Sequence, residues 1–234
     1  MAELPAEGAI ALIDKPAGIT SHDVVLRARR ALPAAKIGHA GTLDPFASGL
    51  LILLIGRATK AQQELMCLPK RYEVIARLGA LSSTGDPEGE LRHTGRIPAR
   101  DRPLPLGEIM QRPPAYSAIK VGGERAYRRA RRGERFELPP RPVTIHSFEE
   151  LWRDEGSCAP DGGPPRAAFR IECSSGTYVR ALIADLGDAY CETLRRTAIG
   201  PFTLDQAQSP PSPTLPGSLR LMALGEARAR VRAQ

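Results

Sequence analysis

The segment Gly38-His39-Ala40-Gly41-Thr42-Leu43-Asp44-Pro45-Phe46-Ala47-Ser48-Gly49 holds the residue types that reactive loops are made of. One carboxylate, Asp44, lies in a glycine-punctuated stretch, with His39 five residues before it. An unbroken apolar run, residues 50–55, follows. A loop fixed by a buried strand is a good mount for a reactive side chain. Asp44 precedes a proline, so its backbone is biased to an extended conformation, which suits a carboxylate aimed out of a loop. Asp-Pro between glycines is also ordinary turn chemistry. A second candidate is Arg180. The helix expected over residues 177–186 places it in the first turn, where a positive charge opposes the helix dipole. Positions 183 and 184 are Ile and Ala, so no carboxylate stands ahead on its own helix to pair with it. An arginine placed against both rules calls for a partner from elsewhere in the chain, and Asp44 is the candidate.

The elements that must position these groups follow from patterning. Residues 9–13 read as a strand and 14–18 as a turn. Thr20 with Asp23 matches a capping box. Val24, Val25, Ala28, Ala31 and Leu32 then share one helical face until Pro33 ends the helix. Residues 58–68 read as helix, and 71–78 as a strand carrying Tyr72. Residues 82–105 are glycine, proline and charge, hence mostly loop. A helix over 124–132 would line up Arg125, Arg128, Arg129 and Arg132 at i, i+3, i+4 and i+7. Such a stripe would follow phosphates, whereas a solvated face usually mixes signs. Residues 143–148, 167–173 and 197–204 read as strands, with loop over 154–165. The helix over 177–186 stops at Gly187, a good C-cap. Residues 209–213 are linker-like, and 219–232 could form a short basic helix. Strands and helices mix without regular βαβ alternation. The expected fold is therefore α+β, a mixed, largely antiparallel central sheet flanked by helices.

At 234 residues, with 42% hydrophobic and 25% charged residues, the chain is globular in character. The net charge of +7 favours an acidic partner. Arginine supplies nearly all of the excess, and its fork geometry and base stacking fit RNA or DNA better than a generic anion. Four scattered cysteines offer no zinc-ligand spacing. No signal peptide or membrane-length apolar run is present, so the expectation is a cytoplasmic protein with no metal and no membrane partner.

The words Gly-His-Xaa-Gly-Thr-Leu-Asp-Pro resemble the catalytic motif of TruB-type tRNA pseudouridine synthases, whose aspartate corresponds to Asp44. Five further stretches resemble that family, in the family's order. Lys15-Pro16-Ala17-Gly18-Ile19-Thr20-Ser21 is similar to its N-terminal segment; Lys15 is placed with the substrate-binding residues and could support the loop electrostatically. Lys70-Arg71-Tyr72 is similar to the segment whose tyrosine lies against the target base. Residues 113–123 look like the family's Pro-Pro-Ala-Tyr-Ser segment, and residues 173–180 like the motif whose arginine pairs with the catalytic aspartate. Leu194-Arg195-Arg196 opens the closing motif, in which the leucine packs near the base. His39 matches the histidine that fills the space left by a flipped base.

The resemblance implies the pseudouridine synthase fold over residues 1–205, and isomerisation of uridine 55 in the T-loop of tRNA by a stand-alone monomer. Asp44, Tyr72 and Arg180 would be catalytic, with His39, Leu194 and Lys15 at the substrate. No redox change occurs and no group leaves, so no cofactor is expected. Sequence leaves open whether Asp44 attacks the sugar C1′, adds to the base C6, or removes a sugar proton. Residues 206–234 would be a short tail, too small for the further RNA-binding domain of the PUA type that many relatives carry. Three other readings compete. One is an RNA-binding or tRNA-folding module without turnover. Another is a guide-RNA-dependent synthase of the dyskerin type. The third is a carboxylate hydrolase, which would want a second carboxylate or a metal cluster.

Overall fold

The computed structural model describes residues 4–32, 36–117, 119–134, 136–156, 158–159, 161–212 and 219–233. In chain order the elements are β1 (Ala9–Lys15), α1 (Ser21–Ala31), β2 (Ile37–His39), β3 (Ser48–Ile55), α2 (Gln62–Met66), β4 (Lys70–Leu78), β5 (Ala80–Ser82), β6 (Leu91–His93) and β7 (Gly107–Gln111). There follow β8 (Lys120–Val121), β9 (Glu124–Arg125), α3 (Ala126–Arg131), β10 (Arg141–Arg153), β11 (Arg166–Cys173), α4 (Val179–Ala184), β12 (Ala189–Ile199), β13 (Phe202–Thr203), β14 (Met222–Ala223) and α5 (Leu224–Arg232). The chain divides into two compact units, Met1–Glu73 with Leu194–Gln234, and Val74–Thr193. β4 and β12 each contribute a segment to both. Among the described residues no helix is long and apolar enough to cross a membrane.

The first unit explains the apolar run. β3 lies between β1 and β12, and β2 also pairs with its outer half. β1 and β3 run antiparallel in register from Ala9↔Ile55 to Lys15↔Gly49. Leu50, Ile52 and Leu54 face Ile10, Leu12, Ile199, Phe202, Leu224 and Ala227. Leu51, Leu53 and Ile55 face Ile13, Val24, Val25, Ala28 and Ile37 under α1. A strand buried on both faces has no polar alternation to show, hence six apolar residues in a row. The capping box forms as expected: the Asp23 amide donates to Thr20 Oγ1 at 3.1 Å, and the Thr20 amide donates to Asp23 Oδ2 at 2.8 Å. Residues 222–232 are packed. β14 pairs with β1, and α5 buries Leu224 and Ala227.

In the second unit β4, β11, β10 and β7 are successive neighbours. The loop before β11 is tied down by charge. Arg77 on β4 donates to Asp161 at 2.5 Å and to Glu192 on β12 at 2.8 Å. Arg166 joins both carboxylates. Arg77, then the Gly163 amide and Arg166, hold the Asp161 carboxyl well below the usual carboxylate range.

The sheet is mixed: β12 runs parallel to β3, while β1, β2, β7, β10, β11, β13 and β14 make antiparallel pairs. The α+β expectation therefore holds, with local corrections. The strand expected over 197–204 is instead the end of one that begins at Ala189, followed by the short β13. Residues 58–68 divide into a 3-10 segment and the short α2. The helix expected over 124–132 is shorter, and its first two residues are the returning strand of a hairpin, Val121↔Glu124, closed by Gly122-Gly123.

Candidate active site

The Asp44 loop leaves β2 and enters β3, and three buried polar side chains hold it from beneath. Lys15, fully buried at the end of β1, donates from Nζ to the carbonyls of Pro16 at 2.9 Å, Ile19 at 2.7 Å and Pro45 at 3.3 Å. Ser21, at the start of α1, accepts from the Leu43 amide at 2.9 Å, and its hydroxyl lies 3.2 Å from the Leu43 carbonyl. Arg196 donates from Nε to the Leu50 carbonyl at 2.7 Å and from Nη2 to that of Gly41 at 3.1 Å. Within the loop the Ala47 amide reaches back to the Asp44 carbonyl at 3.2 Å, so the Asp-Pro segment is also a turn. The Gly18 amide donates to the Pro45 carbonyl at 2.8 Å. The two residues flanking Asp44 are thus fixed through their backbones, while Asp44 itself is half-buried. The fully buried Lys15 ammonium thus reaches the loop through backbone carbonyls.

Glycine is required where this loop meets β12. Gly49 has φ +103°, and a Cβ there would lie 2.3 Å from the Arg196 carbonyl oxygen. That contact marks the parallel register Arg195↔Ser48 and Arg196↔Gly49. Leu194, buried, immediately precedes the residues of β12 that touch the end of the loop. Tyr72, also buried, lies on β4 beside β12, where Thr197 Oγ1 donates to the Arg71 carbonyl at 3.3 Å. His39 ends β2 opposite Leu53. Its Nδ1 is buried with no hydrogen-bond partner among the described residues. Burial first, then the charges of Arg196 and His22, lower its pKa from the ordinary 6.5.

In the second unit Arg180 occupies the first turn of α4 and is buried. Its Nη1 donates to the Thr84 carbonyl at 2.6 Å and lies 3.2 Å from Asp86 Oδ2; its Nη2 donates to the Tyr116 carbonyl at 2.9 Å. The distant partner that its placement called for therefore includes Asp86, which sequence reasoning missed. Asp86 organises its own loop, accepting from Thr84 Oγ1 at 2.5 Å and from the Glu88 amide at 3.1 Å. The signal was present: Gly85-Asp86-Pro87 repeats the glycine and Asp-Pro arrangement around Asp44. A cavity of about 460 Å³ opens beside these anchors, lined by Ser83, Thr84, Glu88, Gly89, Glu90 and Tyr116.

The arginine stripe does not form as expected. Arg125 belongs to β9, and Arg132 lies past the end of α3. Arg132 makes a bidentate pair with Glu124 at 2.6 and 2.8 Å and also donates to Glu134. Arg129 donates to Glu134 at 2.7 Å and stacks over Phe136. Arg128 is exposed. The surface mixes signs because the i+7 position of the stripe meets acidic residues from both flanks. Among the described residues no His, Cys, Asp or Glu gather in a group that could hold a metal ion.

Residues 29–179 match the model of the TruB family pseudouridylate synthase, N-terminal domain. This chain belongs to that family. The family match takes in Asp44 and Tyr72 and ends one residue before Arg180. Relatives extend the likeness. The tRNA pseudouridine synthase B of Nocardia farcinica is 47% identical over 86% of this chain and 68% of its own length. That of Corynebacterium glutamicum is 44% identical over 88% of this chain and 71% of its own length. Among solved structures, a Cbf5-Nop10-Gar1 complex matches with TM-score 0.59 and 29% identity over 83% of this chain. An H/ACA RNP bound to a substrate RNA containing 2'-deoxyuridine matches with TM-score 0.56 and 26% identity over 86%. This chain spans about half the length of either. The TruB-family chain is thus a pseudouridine synthase with the α+β fold of that enzyme class.

Proposed function

We propose that the protein converts uridine 55 in the T-loop of tRNA to pseudouridine, as a cytoplasmic monomer that needs no guide RNA. The observation that carries this reading is the mounting of Asp44. The backbone on both sides of it is fixed by Lys15 and Ser21, so the half-buried Asp44 sits on a rigid mount. In the reaction the N1–C1′ bond breaks, a C5–C1′ bond forms, C5 loses its proton and N1 gains one. The overall change is an isomerisation, so the chain needs only to bind, orient and exchange protons.

The uracil must leave its stack before a side chain can reach it. His39 fills the space it vacates; an imidazole kept neutral by burial suits such a site. Tyr72 stacks on the base, and its hydroxyl can share the C5 proton. Leu194 packs against the ring. Asp44 acts as a carboxylate on the nucleotide, and Arg180 pairs with it, completing a guanidinium already oriented by Asp86 and two carbonyls. Exposed cations such as Arg128 meet the phosphates.

Incubating the purified chain with an unmodified tRNA transcript, with no other RNA present, tests this reading. The expected product is pseudouridine at position 55 alone. Product formed only after a guide RNA is added would favour the assembly type represented among the structural neighbours. RNA binding without product would make the chain a binding module.

A further inference from the structure

β12 directs one arginine into the protein where the alternation of a strand calls for an apolar side chain. Leu194, Arg196 and Ala198 face inward, while Thr193, Arg195 and Thr197 face out. Arg195 behaves as a surface residue, half-exposed and paired with Asp14 at 2.7 Å. Arg196 is 2% exposed and is among the largest fully buried side chains of the protein. Among the described residues it has no carboxylate partner; its hydrogen bonds go to the carbonyls of Leu50 and Gly41. A buried cation balanced only by carbonyl dipoles is costly, and a leucine or methionine would fill the space without that cost. The two carbonyls lie at opposite ends of the loop that displays Asp44. Gly41, at φ +95°, lies beside the guanidinium: a Cβ there would be in ordinary van der Waals contact with Arg196 Nη1, at 3.6 Å. Gly49 touches the Arg196 backbone itself.

We propose that Arg196 is a positioning residue for the isomerisation: its guanidinium bolts both ends of residues 41–50 together, so that the Asp44 carboxylate is held in its reactive position before RNA arrives. This rests on the reading of Asp44 given above. It predicts a loss in the chemical step and not in RNA binding, because Arg196 is buried and meets no phosphate.

The test uses the full chain and the variants Arg196→Met and Arg196→Lys. Three quantities are measured: the single-turnover rate on an unmodified tRNA transcript at saturating enzyme, the Kd for that transcript, and amide exchange across residues 42–48. Arg196→Met should react about 100-fold more slowly, the loss expected of a displaced catalytic group, with Kd within about threefold of wild type. Arg196→Lys keeps the charge and one of the two carbonyl bonds, and should recover about tenfold of that loss. Amide exchange should quicken in the order wild type, Lys, Met. A Met variant near the wild-type rate, rate and binding that fall together, or a Lys variant no faster than Met would each overturn the proposal. If the Met variant does not fold, Arg196→Lys carries the test: a wild-type rate with wild-type exchange overturns it. Wild-type protein that makes no pseudouridine would instead sink the functional reading, and the exchange data would still report on the clamp.

Discussion

Burial keeps the His39 imidazole neutral at a pH where an exposed histidine begins to protonate, and that has a measurable consequence. The folded pKa is lowered below the ordinary 6.5. On acidification the unfolded chain takes up its proton first, so stability present above about pH 6.5 is lost as the pH falls below it. Wild type should lose melting temperature between pH 7.5 and pH 5, and His39→Gln should lose less; parallel curves would contradict the assignment of burial as the cause. The loop that carries Asp44 was legible in the sequence because glycines and Asp-Pro stood before an unbroken apolar run. Arg196 was not. Beside Arg195 it reads as one more surface cation, and only the register of β12 turns it inward. Lys15 makes the same point: sequence shows a charge, and only the fold shows that it is buried.

Elements with a clean period were readable and those carrying an exception were not. α1 shows its apolar face and its cap, and β3 its double burial. β12 hides because a buried arginine interrupts the inward set of residues, so its strand character was read only from residue 197 onward. The hairpin before α3 had its signal in Gly122-Gly123, with φ of +59° and +88°, a pattern suited to a two-residue turn. The arginine spacing outweighed it and drew the helix two residues too early and one too far. The corrected geometry changes which cation should meet RNA. Arg132 is held by Glu124 and Glu134, whereas Arg128 is exposed. Arg128→Ala should weaken tRNA binding and reduce the slope of log affinity against log salt by about one. Arg132→Ala should change the slope less. Equal slopes for both variants and wild type would remove this surface from the RNA interface.

Across the whole chain, the formal charge of +7 is consistent with a polyanionic partner, and the partner's chemistry comes from the family. Charge alone would serve a binding module equally well. What separates an enzyme from such a module is a carboxylate on a braced loop, which electrostatic attraction to RNA does not need and which a reaction does. The measurement that bears on this most directly is pseudouridine formation by wild type and Asp44→Asn on the same tRNA transcript, with binding followed in parallel. The account predicts product from wild type, none from Asp44→Asn, and binding within about threefold between them. Undiminished turnover by the asparagine variant would contradict it.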